Sequence, residues 1–279
     1  MKLEKRFPER RVVITGAGSG LGRALALEFA SRGWRVAVTD INMVRLAETA
    51  AQVAAAGGSA REIACDVTKP ADFARVLEAV RTGWGGIDVL VNNAGVAAGG
   101  FMDRIPMDEW ERIIDINLKS VIIGCRTFIP QFAAQGSGHI VNVASNAGIA
   151  SLAEMSSYNV TKAGVISLSE TLRVELAPRG VGVTVVCPTF FKTNLMDGFR
   201  SSDERQRRLA EGMFAKASIS AGEIARHVVR SIERGRLYAL AQTDARLAWR
   251  GKRLAPEAYF RFLGWAYRTG MFEKYAGVR

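Results

Sequence analysis

Tyr158 and Lys162, four residues apart, are the pair in this 279-residue chain whose types and spacing most directly allow chemistry. On a helix that spacing puts both side chains on one face. A phenol, with an ordinary pKa of about 10, is a poor base at neutral pH. A neighbouring ammonium favours the phenolate and lowers that value. The tyrosine can then take a proton from an alcohol, or give one to a carbonyl, while a hydride moves on carbon. Ser145 stands thirteen residues earlier, just past the apolar run Ile140-Val141-Asn142-Val143, where its hydroxyl could hold and polarise the reacting oxygen. Taken singly these are also a surface tyrosine and a strand-end serine cap, so the weight rests on what surrounds them.

A hydride needs a carrier. Thr15-Gly16-Ala17-Gly18-Ser19-Gly20-Leu21-Gly22 follows the apolar run Val12-Val13-Ile14 and precedes a helical pattern at Leu25, Leu27, Phe29 and Ala30. Glycines between a strand and a helix let backbone approach a pyrophosphate, and the helix start offers free N–H groups and a positive dipole end. Asp40 lies eighteen residues after Gly22, at the end of the next apolar run. A carboxylate there accepts from ribose hydroxyls and repels a 2′-phosphate. Ile41 and Asn42 bring no cation and Ser19 is neutral, so NAD is the favoured cofactor. Arg45 keeps NADP open.

Short apolar runs alternate with helical stretches along the chain: after residues 12–14 they fall at 36–38, 63–65, 89–91, 140–143, 183–186 and 237–240. Runs without polar alternation predict strands buried on both faces, and the long connections predict parallel crossovers. The expected fold is α/β: a doubly wound Rossmann fold, a mostly seven-stranded parallel sheet with helices on both faces. One domain is expected, with a cofactor half over about 1–135, a catalytic and substrate half over about 136–241, and a basic, aromatic extension over about 242–279.

The turn T-G-x-x-x-G-x-G, the run Asn92-Asn93-Ala94-Gly95, and Ser145 with Tyr158-Asn159-Val160-Thr161-Lys162 at this distance together resemble the single-domain branch of the short-chain dehydrogenase/reductase family. The resemblance extends from about Val12 to about Leu240. It implies an oxidoreductase acting on CH–OH groups, with a catalytic tetrad of Asn117, Ser145, Tyr158 and Lys162. Asn117 would open its helix so that a backbone carbonyl holds a water linked to the lysine. The implied cofactor contacts are Gly16, Ser19, Gly20, Leu21, Gly22, Asp40, Asp66, Val67, Asn93, Ala94, Gly95, Tyr158, Lys162, Pro188 and Thr193, with Asp66-Val67 beside the adenine. Relatives usually carry glycine where this chain has Thr189, so the loop beside the nicotinamide is expected to differ in shape. Relatives also pair through helices corresponding to about 107–134 and 156–176, which implies a homodimer or homotetramer.

Met155, Phe190, Phe191 and Met196 are the expected lining of a substrate pocket, with Leu195, Phe199, Met213 and Phe214 nearby in sequence. They suit a small hydrophobic secondary alcohol or ketone. In the extension, Tyr259, Phe262, Leu263 and Ala266 recur at helical spacing, which predicts an amphipathic helix after Pro256. It could pack on its own or a partner subunit, cover the pocket, or lie on an anionic membrane. The net charge of +11 is read as a solubilising surface, and no nucleic-acid-binding signature accompanies it. Three scattered cysteines and two histidines outside any metal-ligand spacing give no expected metal site. With no long apolar run and no signal sequence expected, the location is read as cytoplasmic, with peripheral membrane contact by the extension open. The rival reading is an inactive nucleotide-binding regulatory or membrane-surface protein on the same fold.

Overall fold

The computed structural model describes residues 2–201 and 203–278. The elements run in the order α1 (Leu3–Arg6), β1 (Arg11–Thr15), α2 (Gly20–Ala30), β2 (Arg35–Asp40), α3 (Met43–Ala55), β3 (Ser59–Ala64), α4 (Pro70–Trp84), β4 (Val89–Asn92) and α5 (Met107–Ile114). A π-helical turn (Asp115–Lys119) joins α5 to α6 (Ser120–Gln135). Then come β5 (Gly138–Val143), α7 (Ala147–Ala150), α8 (Ser156–Glu175), β6 (Val181–Val186), a 3₁₀ turn (Asn194–Gly198), α9 (Glu204–Ala215), α10 (Ala221–Glu233), β7 (Tyr238–Ala239), α11 (Thr243–Leu254), α12 (Pro256–Arg268) and α13 (Met271–Ala276).

All seven strands are parallel, in the order β3-β2-β1-β4-β5-β6-β7. The order reverses between β1 and β4, and the crevice beyond the strand ends at such a reversal is where open α/β sheets bind ligands. The register sets the chain exits of β1 to β6 along that one edge. Asp40 pairs with Ala64, Thr15 with Thr39, Asn92 with Asn142, and Val143 with Val186. The residues that follow these strands therefore face a common groove.

β1, β4, β5 and β6 are buried along their whole length, as unbroken Val- and Ile-rich runs dictate. β3 departs from the expectation. It starts earlier, at Ser59, ends before Cys65, and is largely exposed because it pairs only with β2 at the sheet's edge. Its Arg61 and Glu62 are the polar side chains an exposed edge tolerates. Apolar layers cover both faces. Leu25, Phe29, Trp34, Val228 and Ile232 lie on one, and Phe73, Phe128, Phe132 and Leu172 on the other. Phe29 and Trp34 meet edge-on at 4.9 Å. Truncating a buried ring such as Phe29 to alanine costs about 3–5 kcal/mol.

The extension folds back on its own chain: α11 packs on α7 and α12, and α13 packs on α9. Lys252 Nζ donates to the Ile149 carbonyl at 2.8 Å. The helix after Pro256 forms as the spacing predicts, with Ala266 buried and Tyr259 and Leu263 half-buried. Phe262 is the exception. It is 53% exposed, beside Trp265 at 48%, on the outer face with Arg261 and Arg268. No described helix is long and apolar enough to cross a membrane.

Candidate active site

The turn after β1 is built by steric necessity. Gly16 has φ +63°, and a Cβ there would lie 2.8 Å from Ala94 Cα. At Gly22 a Cβ would lie 2.2 Å from the Gly16 carbonyl oxygen. Gly22, expected among the cofactor contacts, instead lies behind the groove and lets α2 close onto the turn. Asn93 Nδ2 donates to the Thr15 and Gly16 carbonyls at 2.8 and 3.1 Å, and Thr15 Oγ1 accepts from the N–H groups of Asn93 and Ala94. Ser19 begins α2 without spending its hydroxyl on a cap. Ser19, Gly20 and Leu21 thus face the groove at a helix N-terminus, where an anion is favoured.

The groove has a volume of about 580 Å³ and runs from Asp40, Asp66 and Val67 past Gly95 to Tyr158, Lys162, Pro188 and Thr193. A dinucleotide fits this set: a glycine cradle that side chains would fill, a helix start for the phosphates, and a carboxylate at each side of the adenosine end. Asp40 accepts from the Gly18 N–H at 3.0 Å and the Asn42 N–H at 2.9 Å. Asp66 accepts from the Thr68 hydroxyl and N–H, and those hydrogen bonds hold its carboxyl below the usual range. Arg45 is ion-paired with Asp197 at 2.8 Å, across the groove mouth.

Tyr158 and Lys162 lie on α8, one turn apart and both buried. The Lys162 ammonium donates to the Val143 carbonyl at 3.0 Å and stands 5.7 Å from the Tyr158 ring centre. Burial pushes the phenol up to about 12, against the opposing hydrogen bond of the neighbouring Ser145 hydroxyl. Burial also pulls Lys162 down to about 8. Desolvation thus dominates the phenol, and the ammonium is turned toward Val143. Asn117 sits in the π-helical turn, where the altered hydrogen-bond register opens the helix as expected. Its carboxamide accepts from the Val96 N–H and donates to the Val96 carbonyl, both at 2.8 Å. Gly95 is held close: a Cβ there would lie 3.1 Å from Asn117 Oδ1 and 3.3 Å from Lys162 Nζ.

A second, narrower cavity of about 160 Å³ adjoins Ser145 and Tyr158. Met155, Phe190 and Phe191 line it, as do Leu195, Phe199, Met213 and Phe214. Met196 does not. It packs beside the small cluster of Ala97, Tyr158 and Phe199, since the 3₁₀ turn swings its neighbour Leu195 inward instead. The Thr189 loop takes its shape from a residue that sequence reasoning treated only as a boundary. Gln242 Oε1 accepts from the Thr189 N–H, and Gln242 Nε2 donates to the Phe190 carbonyl, both at 2.9 Å. Thr189 needs no left-handed backbone. Also missed were Glu154, Arg205, Gln206, Tyr267, Phe272 and Glu273 at the cavity's far end, which no motif marks.

Comparison with known proteins agrees with this geometry. The family described as short chain dehydrogenase matches residues 10–204. The probable oxidoreductase EphD of Mycobacterium tuberculosis is 35% identical over 262 residues, covering 90% of this chain and 44% of that protein, so the chain spans less than half of that relative's length. The D-threitol dehydrogenase of Mycolicibacterium smegmatis is 34% identical over 214 residues, 75% of this chain and 82% of that one. A short chain dehydrogenase/reductase from Burkholderia phymatum, solved in complex with NAD, superposes with a TM-score of 0.83 at 32% identity, over 88% of this chain and 94% of that one. With the glycine cradle, the parallel sheet and the Ser145–Tyr158–Lys162 arrangement already in place, these matches establish that the chain belongs to the short-chain dehydrogenase/reductase family.

Proposed function

We propose that the chain interconverts a secondary alcohol and a ketone on a small hydrophobic substrate, with NAD as its preferred cofactor. One observation carries this reading: the two cavities meet at Tyr158, which lines both the dinucleotide groove and the apolar pocket. Bound nicotinamide supplies the hydride acceptor or donor and, when oxidised, a positive charge. Ser145 and Tyr158 together hold the substrate oxygen, and Tyr158 moves its proton. The protonated phenol of the free protein is the form that donates to a carbonyl. Lys162, buried beside the ring, carries the charge that offsets a phenolate, and Asn117 fixes the turn behind both. Phe190, Phe191, Phe199 and Phe214 keep water from the reacting carbon.

The NAD preference rests on Asp40, whose carboxylate lines the adenosine end, and on Arg45, whose guanidinium is already paired with Asp197. We further read the faces of α6 and α8 that expose Ile122, Val160 and Val174 as the subunit contact of a homodimer or homotetramer. The face of α12 with Phe262, Trp265, Arg261 and Arg268 is read as a peripheral contact with anionic membrane. The test of the chemistry is Tyr158→Phe assayed with NAD against a panel of secondary alcohols. Turnover should fall roughly 10²–10⁴-fold, the range for losing a general acid/base, while NAD affinity stays within about threefold, since only proton transfer is lost. A variant that keeps most of the wild-type rate would overturn the reading. A wild-type protein that binds NAD but oxidises nothing would favour the rival, an inactive nucleotide-binding protein.

A further inference from the structure

The apolar pocket ends in charge. Glu154, Arg205 and Glu273, with Gln206 and Tyr267 beside them, line this pocket and not the dinucleotide groove, so the charge lies off the part the two share at Tyr158. Three separate stretches of chain meet there: the segment before α8, the start of α9, and the folded-back tail. The Glu154 side chain is 6% exposed and that of Glu273 10%. Glu154 sits in a left-handed backbone conformation, φ +59°, which is costly for a residue with a side chain. Its carboxylate accepts from Arg205, from Gln206 Nε2 at 2.7 Å and from the Tyr267 hydroxyl at 2.7 Å. Burial alone would raise its pKa, yet these donors hold it below the usual range, so it is charged.

Glu273 differs from Glu154. Its Oε1 accepts from Arg205 Nη1 at 3.2 Å, and no described residue donates a hydrogen bond to its second oxygen. Arg205 serves both carboxylates and has Asp203 within 3.9 Å as well. One guanidinium between the two lining carboxylates leaves this part of the pocket net negative, in a chain whose overall charge is +11. That second oxygen keeps some accessible surface, so it is open to a donor entering the pocket, and a carboxylate group this little exposed repels a second anion.

We propose that the far end of the pocket recognises a hydrogen-bond-donating end group, so that the substrate is an alcohol or ketone carrying a second hydroxyl or amino group across an apolar body, with Glu273 as the specificity-determining residue. This rests on the proposed alcohol–ketone chemistry at Tyr158 and adds the other end of the molecule. The donor group bonds the second oxygen of Glu273. A methyl end leaves that oxygen unpaired, and a carboxylate end meets like charge. A site built to hydrogen-bond a substrate group rejects analogues that lack it more strongly than a greasy pocket can.

The experiment uses three probes of equal length: octane-1,7-diol, octan-2-ol and 7-hydroxyoctanoate. Each is oxidised at the same secondary carbinol by the full chain with NAD. In the wild type, kcat/KM for the diol should exceed that for the carboxylate by about tenfold or more, with octan-2-ol between them. E273Q should bring the carboxylate to within about threefold of the diol while NAD affinity stays unchanged. Y267F releases Oε1 of Glu154 and should widen the diol preference, an independent check if E273Q fails to fold. A wild type that takes the carboxylate as well as the diol, or an E273Q that shifts all three probes equally, would overturn the proposal. Calorimetric binding of the same probes to the NADH-bound protein separates the two claims. If none is oxidised but the ranking holds in binding, the chemistry at Tyr158 fails and the end-group recognition stands.

Discussion

Replacing Lys162 with methionine should stabilise the free protein at neutral pH while removing its activity. Lys162 is 4% exposed, and its ammonium bonds the Val143 carbonyl at 3.0 Å. Burial moves its titration from the ordinary 10.5 to about 8. At about 1.36 kcal/mol per pH unit, that difference is roughly 3 kcal/mol of penalty carried at pH 7, where the lysine is charged both folded and unfolded. Methionine keeps the length without the charge, and losing the bond to Val143 returns about 1 kcal/mol of the gain. The expected net is about 2 kcal/mol in favour of the variant. The sign with pH follows from the lowered folded pKa. Between pH 8 and 10.5 the unfolded chain binds more protons than the folded one, so the wild type gains stability from this group as pH rises through that window. The methionine variant has no such gain. Tyr158, raised to about 12, destabilises both proteins only as pH climbs beyond its ordinary value. Urea unfolding without cofactor at pH 7 and pH 10 should show the gap closing or reversing at the higher pH. A variant less stable than wild type by the same amount at both pH values would refute the reasoning, because it would mean the ammonium carries no burial penalty.

The cofactor reading predicts that Asp40→Ala weakens NAD about tenfold, the order expected for losing a charged hydrogen-bond acceptor, and narrows the gap to NADP. Asp197→Asn should raise kcat/KM with NADP by releasing Arg45. Both are read by kcat/KM for the two cofactors on one substrate, and a wild type that prefers NADP would contradict the assignment of Asp40. Gln242→Ala removes both hydrogen bonds that pin residues 189 and 190, and kcat should fall up to about a hundredfold with the circular dichroism spectrum unchanged, the cost of misplacing a site by about an ångström. The α12 face predicts sedimentation with vesicles containing phosphatidylglycerol but not with phosphatidylcholine alone. Phe262→Ala with Trp265→Ala should abolish it, whereas equal binding to both vesicle types would argue against an electrostatic contact.

The groove was legible because local backbone geometry forces its residue types. Only glycine takes φ +63° at residue 16 with Ala94 so near, and Asn93 recurs because two carbonyls of the turn need a donor. Strand ends in a parallel sheet share an edge, so Asp40, Asn93 and Ser145 could be placed from the order of apolar runs alone. The pocket was less legible. Whether Leu195 or Met196 turns inward depends on a single 3₁₀ turn, and both are apolar. The far end was not legible at all. Glu154 meets Tyr267 across 113 residues, and nothing local requires either residue type. β3 was misjudged for a related reason: three apolar residues at its end looked like a buried strand, but burial depends on a neighbour on the outer side that the sheet does not supply.

The extension's role follows from where its two ends make contact. It starts at Gln242, which holds the loop at residues 188–191 between the groove and the pocket. It ends at Tyr267, Phe272 and Glu273, which close the pocket's far end. Between them α11 braces against α7, the short helix that starts two residues after Ser145, and α12 packs on α11. One continuous segment therefore holds the loop at residues 188–191 at one end and lines the apolar pocket at the other. Side chains that act through one rigid body do not vary independently, so substitutions along α11 and α12 should move kcat and KM together. Substitutions confined to Phe272 or Glu273 should change which substrate is chosen while leaving the rate on a well-fitting one intact. On the proposed function, this division leaves the catalytic residues on the exit of β5 and on α8, while the helices after β7 share the choice of substrate with residues between 155 and 214 that line the rest of the pocket.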